Sequence, residues 1–302
     1  MRRLLSALAV VAFLLPQVGA QAAPPEAPPD KATEAAPSAP PPAETAARIP
    51  AAAPDKTPST DQAAATAKTA PAKTQDIVPE AKQAVAALCA YLKSQPVVTL
   101  HAEETVEKTY PGGKTIQLAR EVDVALKRPD KLFIRIFGDD RDRVIVYDGK
   151  TLAMADLDKG VYATVDAPPT VEALLDNLAA KYGLSLPLAD FLGSEACAKL
   201  LDHVQVGDDL GTHLAAGLPC RHLAFTQPDV DWQLWIEKGT APLPRKLVIT
   251  DKQKMGWPQY AVTFTGFDFQ PSLPEKLFTF TPEKNARKIE FLPLARPQGQ
   301  AK

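Results

Sequence analysis

The chain has 302 residues, with 34 lysines and arginines against 36 aspartates and glutamates, for a formal net charge of −2. The basic residues are scattered rather than massed, which leaves no electrostatic footprint for nucleic acid. Its three cysteines exclude a disulfide-built scaffold and allow at most one internal bridge.

At the start, Arg2 and Arg3 precede an apolar run over residues 4–15, followed by Pro16 and small residues around 18–22. This is the pattern of a cleaved secretory leader, expected over 1–22, and the run is short of the roughly 20 residues that span a bilayer. The mature chain is thus expected to be exported, without a transmembrane segment, and monomeric. Residues 23–75 are Ala, Pro, Thr, Lys and Glu with almost no large apolar side chain. Such a segment cannot bury enough surface to offset its ordering entropy, and reads as a disordered, extended tether. Residues 76–302 are long enough for one β-rich domain.

Within that domain, Pro79 and the spacing of Val85, Leu88, Cys89 and Leu92 predict a helix over 79–93, with Cys89 facing inward. Alternation then predicts strands over 97–108, 115–126, 131–137, 143–147, 151–155 and 161–165, separated by turns that include Asp148-Gly149. The period changes after Pro168-Pro169. Val171, Leu174, Leu175, Leu178 and Tyr182 share a helical face, Thr170 suits the N-cap, and Gly183 suits the end. A second short helix is expected over 195–200. Strands resume over 203–206, 212–216, 221–226, 232–237, 245–250 and 259–269, the last reconciled by a bulge at Gly266.

Seven segments, KRPDK (127–131), VYDGKTL (146–152), VYATVDAP (161–168), LPLAD (186–190), GLPCRHLAF (217–225), DWQLWI (231–236) and LPRKLVIT (243–250), together resemble a family of predicted periplasmic proteins of unknown function. That family is grouped with the LolA/LolB-type lipoprotein carriers. The resemblance spans nearly all of 77–290. It implies periplasmic localisation and an α+β fold, a half-closed antiparallel β-barrel of about 11 strands with an N-terminal helix and a helical lid. It further implies a concave apolar face that receives acyl chains.

A one-sided sheet under a helical cover can exchange that cover for an acyl chain at little net change in buried area. Phe133, Phe137, Met154, Leu174, Leu178, Trp232 and Trp235 are the candidate ligand-facing residues, although the same spacings also suit ordinary core. The parity of the strand over 131–137 is ambiguous, since Leu132, Ile134 and Ile136 alternate with Phe133 and Phe137. The partners expected are lipid or lipoprotein acyl chains. In a second reading the cavity is filled by the protein's own side chains and an envelope protein is the partner.

No catalytic residue, cofactor or metal is expected. Cys220 and His222 share a strand face, yet no motif supplies an orienting acid, so Cys220 is expected in the core, bridged to Cys197, with His222 satisfied by a backbone group. Asp139, Asp140, Asp142 and Asp148 lack calcium-loop spacing, and the histidines lack metal-ligand spacing. Glu103 and Glu104 are adjacent on a strand and point to opposite faces.

Overall fold

The computed structural model describes residues 75–293 apart from 187, 194, 196 and 198. The expected leader, and all but the last residue of the expected tether, lie outside them.

Strand β1 (Asp76–Ile77) leads into helix α1 (Pro79–Ser94), which has its proline in the first turn and buries Ala81, Val85, Leu88, Cys89 and Leu92. Six strands follow as a meander: β2 (Val97–Thr109), β3 (Thr115–Lys127), β4 (Lys131–Gly138), β5 (Arg141–Tyr147), β6 (Thr151–Asp156) and β7 (Val161–Asp166). A helical insertion separates them from five more: β8 (Val206–Ala215), β9 (Leu218–Thr226), β10 (Val230–Glu237), β11 (Pro244–Asp251) and β12 (Gln259–Asp268). The last strand, β13, is Arg287–Lys288.

All thirteen form one sheet in the order β1-β8-β9-β10-β11-β12-β2-β3-β4-β5-β6-β7-β13. Neighbours are antiparallel except at the two edges, where β1 pairs with β8 and β13 with β7 in parallel. Strands β2 to β12 correspond to the expected set of about 11. The two edge pieces are two residues each, too short to leave a periodic signal. The sheet is open, with β1 and β13 at opposite ends, so a closed barrel is not formed.

Two local expectations meet the structure differently. The bulge at Gly266 is present as a register shift between Phe264 and Gly266. The strand expected over 212–216 is the second half of a longer β8, broken by a bulge between Asp209 and Thr212, whereas of the strand expected over 203–206 only Val206 is in β8 and 203–205 are not strand. Gly211, at φ 85°, donates its N–H to the Asp209 carboxylate at 2.9 Å, so what reads as a turn is a kink within one strand.

The insertion begins where expected. The Thr170 hydroxyl accepts the Ala173 N–H at 3.2 Å and caps α2 (Val171–Asn177). The expected helix over 171–182 does not keep one pitch: after Asn177 it widens into a π turn (Leu178–Tyr182), which stops at Gly183 in the left-handed region, φ 64°. A four-residue helix, α3 (Ala189–Leu192), follows Leu188, itself left-handed at φ 56°. Of the second helix expected over 195–200, residues 195 and 197 are helical, whereas 196 and 198 lie outside the described residues.

α1, α2, the π turn and α3 all bury their apolar sides in one cluster with the same face of the sheet. After β12 the chain crosses to the opposite face as a strap. A 3-10 turn (Glu275–Phe278) packs Phe278 against β4 and β5, and the strap returns to the sheet edge at β13.

Candidate functional site

The helix-covered face is made by one parity of every strand: Leu132, Ile134 and Ile136 of β4, Ile145 and Tyr147 of β5, Leu152 and Met154 of β6, and Trp232, Leu234 and Ile236 of β10. The insertion lays Val171, Leu174, Leu178, Leu186, Phe191 and Leu192 against it. Its entry is pinned by hydrogen bonds from the Val171 N–H to the Pro129 carbonyl, 2.8 Å, and from the Tyr147 hydroxyl to the Pro168 carbonyl. α3 docks edge to face, with the Phe191 and Phe264 rings 5.4 Å apart. The interface is closed by side chains, Leu174, Leu178 and Trp232 each being 1% exposed. The indole N–H of Trp232 is nonetheless buried with no acceptor among the described residues.

The described cysteines also clasp this cover. Cys89 of α1 is bonded to Cys197 of the insertion, and Cys220 is free. The expected Cys197–Cys220 bridge is therefore not formed. Cys220 has the parity opposite to Leu223 and Phe225 and packs with Ala215, Trp235 and Val248 on the other face, so the sheet itself separates it from Cys197.

At one end of the covered face sits a buried polar knot. Arg120 donates to Asp140 from Nε at 2.7 Å and from Nη2 at 2.9 Å, and its Nη1 lies 3.9 Å from Glu104. Lys108 adds a 2.8 Å bond to Asp140, and Arg141 adds two more, at 3.2 and 3.3 Å. Burial works against the Asp140 carboxylate, but bonds from Arg120, Lys108 and Arg141 outweigh it and hold this acid well below its ordinary range. Burial raises Glu104, partly offset by the Tyr260 hydroxyl that donates to it and by Arg120.

Asp190, on α3, lies within electrostatic reach of Tyr260, and burial alone pushes its carboxyl up to about 6. Because this folded value is above the ordinary 3.8, ionisation weakens the fold as pH rises from about 4 through 6. Asp190→Asn removes that burden. Thermal melts should show it stabilised by about 1–2 kcal/mol at pH 8, allowing for partial exposure, and level with the parent below pH 4. A pH-independent difference would contradict this account.

The outer face is different. Over β4 to β7 it presents Phe133, Val144, Val146, Ala155 and Tyr162, and the strap lies across them with Leu277 and Phe280 inward. Between sheet and strap is a cavity of about 460 Å³. Further along this face, His222 stacks on Trp235 with ring centres 3.9 Å apart. His222 is satisfied by side chains, His213 Nδ1 at 2.9 Å and Gln233 Oε1 at 3.0 Å, rather than by the backbone group expected. Burial raises the neighbouring Cys220 thiol and lowers the His222 imidazole, which is the reverse of what an activated thiolate–imidazolium pair requires. Among the described residues, no group of three or more His, Cys, Asp or Glu side chains is placed to hold a metal.

A family model described as "Predicted periplasmic protein (DUF2092)" matches residues 81–292. The chain belongs to this periplasmic family. No curated protein matches it. Solved structures similar to it at low identity include these three. An uncharacterised conserved protein from Thermus thermophilus is 11% identical, covers 70% of this chain and 99% of its own, and has a TM-score of 0.42. The Mycobacterium tuberculosis lipoprotein LppX is 12% identical, covers 65% and 98%, and scores 0.34. A LolA superfamily protein from Nitrosomonas europaea is 11% identical, covers 66% and 97%, and scores 0.34. No helix among the described residues is long and apolar enough to cross a membrane.

In this family member the seven candidate ligand residues divide between two faces. Met154, Leu174, Leu178 and Trp232 lie together on the covered face, as core. Phe133 lines the outer cavity, Phe137 is 52% exposed beneath the Arg135 guanidinium, and Trp235 packs with Cys220. Those three cannot share one site with the other four. Sequence reasoning missed Leu277 and Phe280, which follow the last predicted strand in a proline-punctuated segment without periodicity. It also missed Arg120 and Tyr260, whose partners lie on other strands.

Proposed function

We propose that this periplasmic protein binds an apolar ligand, an acyl chain, on its helix-covered face by exchange with the insertion. The observation that carries the reading is the construction of the cover. It consists of a seven-residue helix, a π turn and a four-residue helix, jointed at two left-handed residues, Gly183 and Leu188. Leucine in that region costs about 1–2 kcal/mol, and such strain persists where surrounding contacts over-determine it. A cover of short jointed pieces gives way in steps, and an acyl chain entering beneath it buries area comparable to what the cover surrenders. The unpartnered Trp232 N–H supports the same reading, since an ester or amide carbonyl would satisfy it.

The test is a protein with Trp235→Phe and Trp257→Phe, in which Trp232 is the only indole, titrated with palmitate. Saturable change in its emission, together with a lipid recovered by organic extraction from the periplasmic protein, is the expected result. Asp190→Asn, by seating the cover more firmly at neutral pH, should weaken this binding roughly three- to tenfold, because the open state is less populated. Unchanged Trp232 emission with an empty extract would sink the proposal. The near-total burial of Leu174, Leu178 and Trp232 beneath the cover favours a second reading, an envelope protein-binding module. It finds support in Leu210 and Leu214, large apolar side chains exposed on β8; a stable partner recovered with an empty protein would favour it.

A further inference from the structure

The outer-face cavity is unconnected with the covered face, because the sheet lies between them. We propose that it is a second, independent seat, taking a single-chain fatty acid. Its floor is low: Val144, Val146 and Ala155 are small, while Phe133 and Tyr162 stand at its sides. Its roof is held at both ends, and between them its backbone bonds are local, from the Thr279 N–H to the Lys276 carbonyl and from the Ala286 N–H to the Glu283 carbonyl. At one end Phe278 is 1% exposed and Lys127 meets Glu275 at 2.6 Å. At the other, the Arg287 N–H donates to the Gly160 carbonyl and the Ile289 N–H to the Tyr162 carbonyl, each at 2.8 Å.

Between these anchors Phe280 rests against Tyr162, with ring centres 5.4 Å apart. The strap therefore cannot drop onto the floor without releasing an anchor, and the space beneath stays open. Its volume of about 460 Å³ lies inside the range of small-molecule sites, roughly 300–1,000 Å³. Aliphatic and aromatic walls select a slender hydrocarbon chain.

The mouth selects the head group. Asp156 is neutralised by Arg143 at 3.2 Å and Lys159 at 3.4 Å. Lys276 and Glu283 also line the opening, and Lys276 meets no carboxylate within ion-pair distance among the described residues. Of the three charged residues that line the cavity, Asp156 is thus already paired, which leaves Lys276 as the one cation of the lining, with Glu283 as the lining's other carboxylate. A carboxylate head placed at Lys276, with its tail under the strap, satisfies both parts of the site.

The experiment uses the protein purified from the periplasm and stripped of lipid, with dodecanoic acid carrying a diazirine in its chain. Photolabel is expected within residues 144–162 and 274–286, competed by unlabelled dodecanoate. Ala155→Phe, which fills the floor, should lower dodecanoate affinity at least tenfold with the Trp232 emission unchanged. Should that variant fold poorly by circular dichroism, Lys276→Glu at the exposed mouth should lower dodecanoate affinity several-fold and raise that for dodecyltrimethylammonium. Label confined to residues 171–192 and the strand bearing Trp232 would overturn the outer seat while leaving the covered-face proposal standing. Label on 144–162 and 274–286 with no change at Trp232 would do the reverse. Absence of label would overturn the outer seat, as would equal affinity in the parent and both variants.

Discussion

Replacing Cys89 and Cys197 with serine should lower stability by about 4–5 kcal/mol, the largest effect expected of any pair of substitutions on the covered face. The bridge joins residues 108 apart in sequence, and in the chain-entropy view closing a loop of about 100 residues removes roughly 4.7 kcal/mol of freedom from the unfolded state. For a domain of this size each kcal/mol shifts the midpoint by about 2–4 °C, so a fall of about 10–15 °C is anticipated. Calorimetry with and without dithiothreitol, alongside the double serine variant, measures it. A drop below about 3 °C would mean that α1 and the insertion stay together in the unfolded chain without the bond. Cys220→Ser serves as the control, since that thiol is buried among Ala215, Trp235 and Val248 and belongs to neither partner.

Arg120→Ala should cost about 3–4 kcal/mol, because it strands two carboxylates together. Removing one member of a buried ion pair leaves an uncompensated charge, an effect of roughly 3–5 kcal/mol, whereas exposed pairs are worth less than about 1 kcal/mol. Glu104, already raised by burial, would lose its nearest cation, and Asp140 would keep only Lys108 and Arg141. The pH dependence has a definite sign. Asp140 is depressed in the folded protein, so the stability it contributes is present above its unfolded value near 3.8 and is lost as pH falls. Taking Arg120 away harms ionised carboxylates only, so the deficit should be greatest at pH 7 and above and shrink as both acids protonate. Glu104→Gln in the Arg120→Ala background should recover part of the loss, as the amide oxygen still accepts from Tyr260. Urea titrations at pH 4 and 8 decide the matter; a deficit below about 1 kcal/mol, or one that grows in acid, would refute the role given to Arg120.

Much of the fold was legible because burial on one side writes itself as alternation. Glu103 and Glu104 show how far this goes: their adjacency predicts opposite faces, and Glu104 is buried while Glu103 is exposed. The same logic stalled on β4. Leu132, Ile134 and Ile136 face the helices, but Phe133 is also apolar because a second layer, the strap, covers it from outside. On that outer parity Phe133 and the exposed Phe137 offset Lys131 and Arg135, so the polar signal that would orient the strand is weakened. Trp235 misled for a related reason, its ring being sheltered by His222 and by the Lys246 side chain 5.2 Å above it. Disulfide pairing is a matter of which side of a sheet each thiol occupies. That fact resides in the parity of β9 and the docking of α1, and spacing alone does not contain it.

The two-residue strands at either end of the sheet bear on how this protein survives among its own kind. An open sheet ends in rows of unpaired N–H and C=O groups, which invite strand addition from another copy and growth into fibres. Here Asp76–Ile77 lies along β8 and Arg287–Lys288 along β7, each in parallel. Asp208 and Asp209 on β8 and Asp166 on β7 place negative charge on what remains of the two borders. The stretches just before the first helix and near the end of the chain thus act as stoppers against self-templating. Shortening the chain from either side to isolate its sheet would be expected to yield a protein that folds but does not stay in solution.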